Sequence, residues 1–276
     1  MKAREFLPRK GIFPGPAVPR ASNRPESGHF GGTALAFLPI RILKEESMIH
    51  CLLVSICLQD AGCVVQGKVN FTGKAPKRRK IDTSADPVCH KQHDSAPLTS
   101  ETVIVNPNNT LRNCFVYVKE GLGDRKFDAP AQPVVLDQIG CRYEPHVFGI
   151  MVGQELEIRN SDDTMHNIHG TPQANREFNF SQAKKGQVDK RKFDSAEVMV
   201  PIKCDVHGWM NCYAGVLAHP FFAVTGEDGA FQLKGLPPGK YTIAVWHEKY
   251  GTQEQTVEIS DSATKEIQFG FEGKQP

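Results

Sequence analysis

From Val64 onward the sequence breaks into short alternating runs, each closed within a few residues by Gly, Pro, Asn or Asp. Val65–Phe71, Cys114–Lys119, Val147–Val152, Glu155–Arg159 and Glu197–Lys203 are such runs. Ala230–Leu233, Tyr241–Trp246, Gln255–Ile259 and Glu266–Phe269 continue the pattern. A period of two is that of a half-buried strand, and no long stretch keeps the 3.6-residue apolar period of a helix. Strands this short bury their apolar faces by packing sheet on sheet, so the expected fold class is all-β, a sandwich or barrel.

Residues 1–47 differ from the rest. Pro8, Pro14, Pro16, Pro19 and Pro25 interrupt every candidate period, and a disordered tail is expected there. Met48 is an alternative start, followed by a mostly apolar stretch, Met48–Leu58, of signal-core length. Asp60-Ala-Gly-Cys63 then resembles a lipoprotein cleavage box, with Cys63 as the candidate lipid anchor and Asp60 where an apolar residue is usual. The N-terminal charge-free runs Ser27–Ile40 and Ser47–Gln59 are about 13–14 residues long, short of the roughly 20 that cross a bilayer as a helix. The net charge of +2 comes from this tail, which holds 8 Lys/Arg against 4 Asp/Glu and leaves 25 against 27 beyond it. That balance argues against a nucleic-acid-binding protein, because phosphate binding normally needs a clear basic excess on a domain, and nucleic acid is not an expected partner. The basic run Lys74–Lys80 reads as a solvated loop.

Chemistry concentrates in Cys204-Asp-Val-His207-Gly-Trp-Met210, just after a strand. Thiolate, imidazole and thioether form the donor set that suits copper in a His₂Cys site with a weak axial Met. A tight turn folds ligands three residues apart onto one ion, whereas an extended strand would hold them about 10 Å apart. Given the counts of Cys, His and Met, the pattern arises by chance about 0.006 times in a chain of this length. The second imidazole is expected from Asn160-Ser-Asp-Asp-Thr-Met-His166-Asn-Ile-His169, with His166 preferred over His169 for its adjacent Asn167.

These residues resemble the cupredoxins. Cys204-x2-His207-x2-Met210 is similar to their second ligand loop in the short amicyanin-type spacing, two residues shorter before Met than in plastocyanin. Val152–Asn167 is similar to the stretch in which a glycine turn leads into a strand ending in Asn, with a His-Asn pair following. The resemblance implies His166, Cys204, His207 and Met210 as ligands of one copper ion, with Asn167 bracing the two loops. It departs at Asp205, where a small polar residue is more usual. A binuclear centre is not expected, because a single Cys precedes His207.

A second resemblance lies in His219–Trp246, whose Glu-Asp-Gly turn, Phe strand, Leu-Pro-Pro-Gly turn and Tyr strand are similar to carboxypeptidase regulatory-like (transthyretin-like) sandwiches. The strands at Gly67–Phe71 and Cys114–Lys119 match the earlier ones of that family. The expected organisation is therefore a leader over 1–63, the first strands of the sandwich over 64–130, a cupredoxin Greek-key domain over 131–218, and the remaining strands over 219–276. Cys89 and Cys141 are candidates for a disulfide and Cys114 for a buried thiol, while His90, His93 and His146 read as surface histidines rather than a second metal cluster. His247 is expected on a strand surface, and Trp209 with Pro220-Phe-Phe222 either in the core or at a docking surface.

The functional expectation is an exported, periplasmic or extracellular blue-copper carrier of single electrons, exchanging them with a cytochrome or a copper oxidoreductase. Four protein ligands leave no open position for substrate, which argues against an enzyme. The rival is a binding or adhesion sandwich whose copper serves storage, sensing or structure.

Overall fold

The computed structural model describes residues 62–260 and 263–273. The expected leader lies outside them, apart from Gly62 and Cys63. The chain enters β1 (Cys63–Gly73), passes through α1 (Pro87–Gln92) and reaches β2 (Phe115–Glu120). A middle block follows: β3 (Val134–Gln138), β4 (Tyr143–Glu144), β5 (Val147–Met151), β6 (Leu156–Asn160), β7 (His166–Gly170), β8 (Phe178–Gln182), β9 (Val188–Arg191), β10 (Glu197–Lys203) and β11 (Asn211–Leu217). The chain ends in β12 (Phe222–Val224), β13 (Ala230–Leu236), β14 (Gly239–His247), β15 (Gly251–Ile259) and β16 (Thr264–Gly273). The protein is all-β, as the alternation predicts.

Pairing sorts these strands into two sandwiches. One has sheets in the order β13-β1-β16 and β12-β2-β14-β15, so its strands come from both ends of the described chain. Between them lie Val65, Val69, Phe71, Val116, Val118, Leu233, Ile243, Val257 and Phe269. The other has sheets in the order β5-β11-β10-β7-β8 and β4-β3-β6-β9, all from the middle block. Its core includes Leu136, Phe148, Ile158, Ile168, Val200 and Val216, and takes in Cys204 and Met210.

A third apolar cluster joins the two, with Phe115, Tyr117 and Ala244 against Val147, Met199 and Leu217. Gly149 and Gly215 make it possible. They face each other across β5 and β11, and a Cβ on either would come within 2.3 Å of an aromatic ring, Phe222 for Gly149 and Phe115 for Gly215. Two glycines in register thus open the sheet face to bulky rings, at the entropic cost of glycine in a strand.

Some sequence expectations change here. Cys63 is the buried first residue of β1 and donates from Sγ to the Ser260 carbonyl at 3.0 Å. A lipid on that sulfur would require the start of β1 to leave the sheet. His247 is buried rather than on a strand surface, packed by the rings of Tyr250 and Phe271. His146 is buried too, 2.8 Å from Glu248. Of the two alternatives for Phe221 and Phe222, the core one holds: Phe221 is buried against Phe127 and the half-buried Phe222 packs on Phe115. Among the described residues, no helix is long and apolar enough to cross a membrane.

Two outcomes are expected. Gly215→Val forces Phe115 aside and lowers the unfolding free energy by about 1–3 kcal/mol in denaturant titrations. Burial holds the His247 imidazole down at about 4, so between the ordinary value of about 6.5 and that value the unfolded chain binds the extra proton. Its contribution to stability is complete above about pH 6.5 and is lost as the pH falls towards 4. Unfolding of the wild type and His247→Phe at stepped pH should therefore show a smaller loss across that window in the variant.

Candidate metal centre

The register of three neighbouring strands assembles the site. β10 and β11 form a hairpin with Lys203 opposite Asn211, so residues 204–210 are its closing loop. The Cys204 N–H donates to the Met210 carbonyl at 3.0 Å, and the Met210 N–H to the His207 carbonyl at 2.8 Å, which closes the loop on itself. On its other side β10 runs antiparallel to β7 with Lys203 opposite His169. Extending that pairing brings Cys204 and Asp205 alongside Ile168 and Asn167, next to His166 at the start of β7.

The donor atoms of His166, Cys204 and His207 all lie within 4.8 Å of one another, and all three residues are buried. The two Nδ1 atoms are 3.0 Å apart, and Cys204 Sγ is 3.9 Å from Nδ1 of His207. Met210 is buried in the same cluster as Cys204. Asn167 ties the loops together: its N–H points at Cys204 Sγ at 3.4 Å, and its Oδ1 accepts from the Asp205 N–H at 3.1 Å. His169 sits elsewhere, with Asp205 at 2.8 Å and Glu177 at 2.7 Å. The structure therefore brings His166 and not His169 to the sulfur.

Two carboxylates missed by the sequence reading complete the arrangement. Asp162 Oδ2 accepts from His166 Nε2 at 2.9 Å, and Asp86 Oδ2 accepts from His207 Nε2 at 3.1 Å. Each carboxylate is itself pinned. Asp86 caps α1 by accepting from the N–H groups of Val88 and Cys89, and it also accepts from the Thr164 hydroxyl. Asp162 accepts from the N–H groups of Gly140 and Cys141. Burial opposes ionisation of Asp86, but these donors and His207 outweigh it and bring the carboxyl to about 2. Asp162 is likewise held below the usual carboxylate range. The disulfide Cys89–Cys141 joins the two supporting segments, with Cys89 beside Asp86 and His207 and Cys141 beside Asp162 and His166. Trp209 lies over His207 with ring centres 5.0 Å apart, its Nε1 donating to the Cys141 carbonyl at 3.0 Å.

An ionised carboxylate only accepts, so each Nε2 must carry its ring's proton. A neutral imidazole then has a bare lone pair at Nδ1, and two such lone pairs face each other at 3.0 Å. That arrangement calls for a cation, either a proton or a metal ion. Consistently, burial lowers the His166 imidazole, yet hydrogen bonds to Asp162 and Cys204 raise it to about 8. Burial raises the Cys204 thiol, but the two histidines and the N–H groups of His207 and Asn167 bring it down to about 6. The protein thus presents a thiolate and two fixed imidazoles at one buried point, which is the chemistry of a soft-metal donor set.

The last five strands span the remaining sequence motif. Residues 217–272 match the family model of the carboxypeptidase regulatory-like domain. No curated protein matches the chain. Solved structures that resemble part of it include the Cu-containing nitrite reductase (NirK) from Thermus scotoductus SA-01, at 20% identity and a TM-score of 0.30, covering 35% of this chain and 26% of that one. A point mutant of amicyanin in its Cu(I) form matches at 19% identity and a TM-score of 0.28, over 37% of this chain and 97% of that one. A purple cupredoxin from Nitrosopumilus maritimus matches at 19% and 0.26, over 30% and 97%. The chain thus spans about a quarter of the reductase's length.

The disulfide closes a loop between residues separated by 52 positions. Cys89→Ala with Cys141→Ala is expected to lower the unfolding free energy by roughly 2–4 kcal/mol in denaturant titrations.

Proposed function

We propose that the protein binds one copper ion through His166, Cys204, His207 and Met210 and carries single electrons. The observation that carries this reading is the pair of Nδ1 atoms 3.0 Å apart beside the Cys204 sulfur, each ring's outer nitrogen tied to a carboxylate. Copper held by thiolate and imidazole exchanges one electron between its two common oxidation states, with a potential tuned by the axial ligand and by hydrogen bonds around the sulfur. The residues of this chain do the rest. Asp86 and Asp162 fix the tautomer and direction of both rings and raise their basicity. The N–H groups of Asn167 and His207 support the thiolate. Cover by α1, the disulfide and Trp209 keeps water away. With four protein ligands no position is left for a substrate, and an electron carrier needs none.

On this reading the middle block is the copper module, set between β2 and β12 of a regulatory-like sandwich. The supporting fact is that its strands pair only among themselves. Release of a stable 60–125 fragment by limited proteolysis would contradict that organisation. A disulfide beside the ligands suits an exported protein in an oxidising compartment.

A second reading, copper storage or structure, draws on the burial of every ligand: His207 is only 2% exposed. Cu(II) titration of the full-length protein separates the two. The carrier requires an intense visible thiolate-to-copper band, absent in Cys204→Ser, and reversible one-electron cycling. Tight binding without cycling supports storage. Asp86→Asn is expected to weaken copper binding by about 10–100-fold, measured by competition with a chelator.

A further inference from the structure

The basic run Lys74–Lys80 is not a free loop. The Ser100 N–H donates to the Arg79 carbonyl at 2.9 Å and the Ile81 N–H to the Leu98 carbonyl at 2.9 Å, so the run is held along residues 98–100. Arg78 is pinned further, its guanidinium donating to the carbonyls of Ser100 at 2.8 Å and Thr99 at 3.3 Å. Beside it opens a cleft of about 680 Å³ whose walls carry Lys74, Lys77, Arg78, Arg79 and Lys249 against one carboxylate, Glu272. Among the described residues none of these five cations is in an ion pair. Beyond the N-terminal tail the chain is close to neutral, so the cleft is a local positive feature.

Its position gives it a use. A smaller cavity of about 120 Å³ shares Arg79, Ser100 and Thr102 with the cleft and is also lined by Trp209 and Met210. Trp209 in turn packs on His207. The cleft thus borders the wall of the metal centre on the side where an aromatic ring bridges to a ligand.

We propose that this basic cleft is the docking surface for an acidic redox protein, which exchanges its electron with the metal centre across Trp209. The proposal rests on the electron-carrier reading and names the chemistry of the partner. A protein suits the cleft better than a small anion because its lysines are exposed. Exposed charges steer a large oppositely charged surface over a distance, whereas holding a small anion takes desolvated donors.

The test uses the full-length copper-loaded protein, reduced and mixed with hexacyanoferrate(III), a trianion, or with tris(phenanthroline)cobalt(III), a trication. Each accepts one electron from the reduced centre, giving hexacyanoferrate(II) or the cobalt(II) complex and the oxidised protein. The anion's rate should fall as salt rises, and decaglutamate should inhibit it competitively. Lys74→Glu with Lys77→Glu and Lys249→Glu should slow it about 10-fold or more at low salt, speed the cation, and leave the visible band unchanged. Equal rates in variant and wild type overturn the proposal. So does saturation by hexacyanoferrate that decaglutamate does not relieve, which assigns the cleft to small anions. Decaglutamate is also titrated into the metal-free protein, followed by tryptophan fluorescence. Binding there that the triple variant loses supports the surface even where the centre fails to cycle. Its absence sinks the docking surface and leaves the copper reading intact.

Discussion

The outer nitrogens of two buried imidazoles, each bonded to an ionised carboxylate, set the terms for everything around the centre. Once Asp86 and Asp162 hold those protons, both rings present lone pairs inward, and the Cys204 sulfur beside them is supported by backbone N–H groups as a thiolate. No packing of apolar side chains relieves such an arrangement, because burying like-directed lone pairs and an anion costs free energy unless a cation arrives. The site is therefore organised for a cation by its hydrogen bonds, and the sheet register supplies the proximity.

Much of this was legible from the residues. The runs marked β1, β2, β5, β6, β10 and β13 to β16 to within a few residues. In strands such as β13 and β16 one face meets a core and the other meets solvent, whereas β2 and β5 are buried on both faces and showed instead as short apolar runs closed by turn residues. β11, Asn211–Leu217, escaped notice because it is buried almost throughout and does not alternate. β7 escaped because His166, Asn167 and His169 serve the centre and its flank, which erases the apolar signature. Asp86 followed by Pro87 carried the signal of a helix cap, but a six-residue helix is too short to show a period.

What the sequence could not give was partnership across distance. Asp86 reaches His207 over 121 positions, and nothing local to Asp86 points to it. Asp162, four residues before His166, was nearer to hand; a carboxylate one turn of loop before a ligand histidine is a natural partner for its free nitrogen. The burial of His247 was likewise decided by the neighbouring rings of Tyr250 and Phe271.

The parallel pairing of β1 with β16 sets Val64 beside Thr264, 200 positions later. As the chain leaves the ribosome, β1 must wait for almost all the remaining sequence before its neighbours exist, while β3 to β11 find every sheet partner within their own span. Synthesis therefore favours an order in which the inner sandwich closes first and its apolar flank, around Gly149 and Gly215, offers a template for the outer one. A strand edge left waiting that long invites pairing with other chains, so slow translation or a truncated C-terminus would be felt first as aggregation through β1.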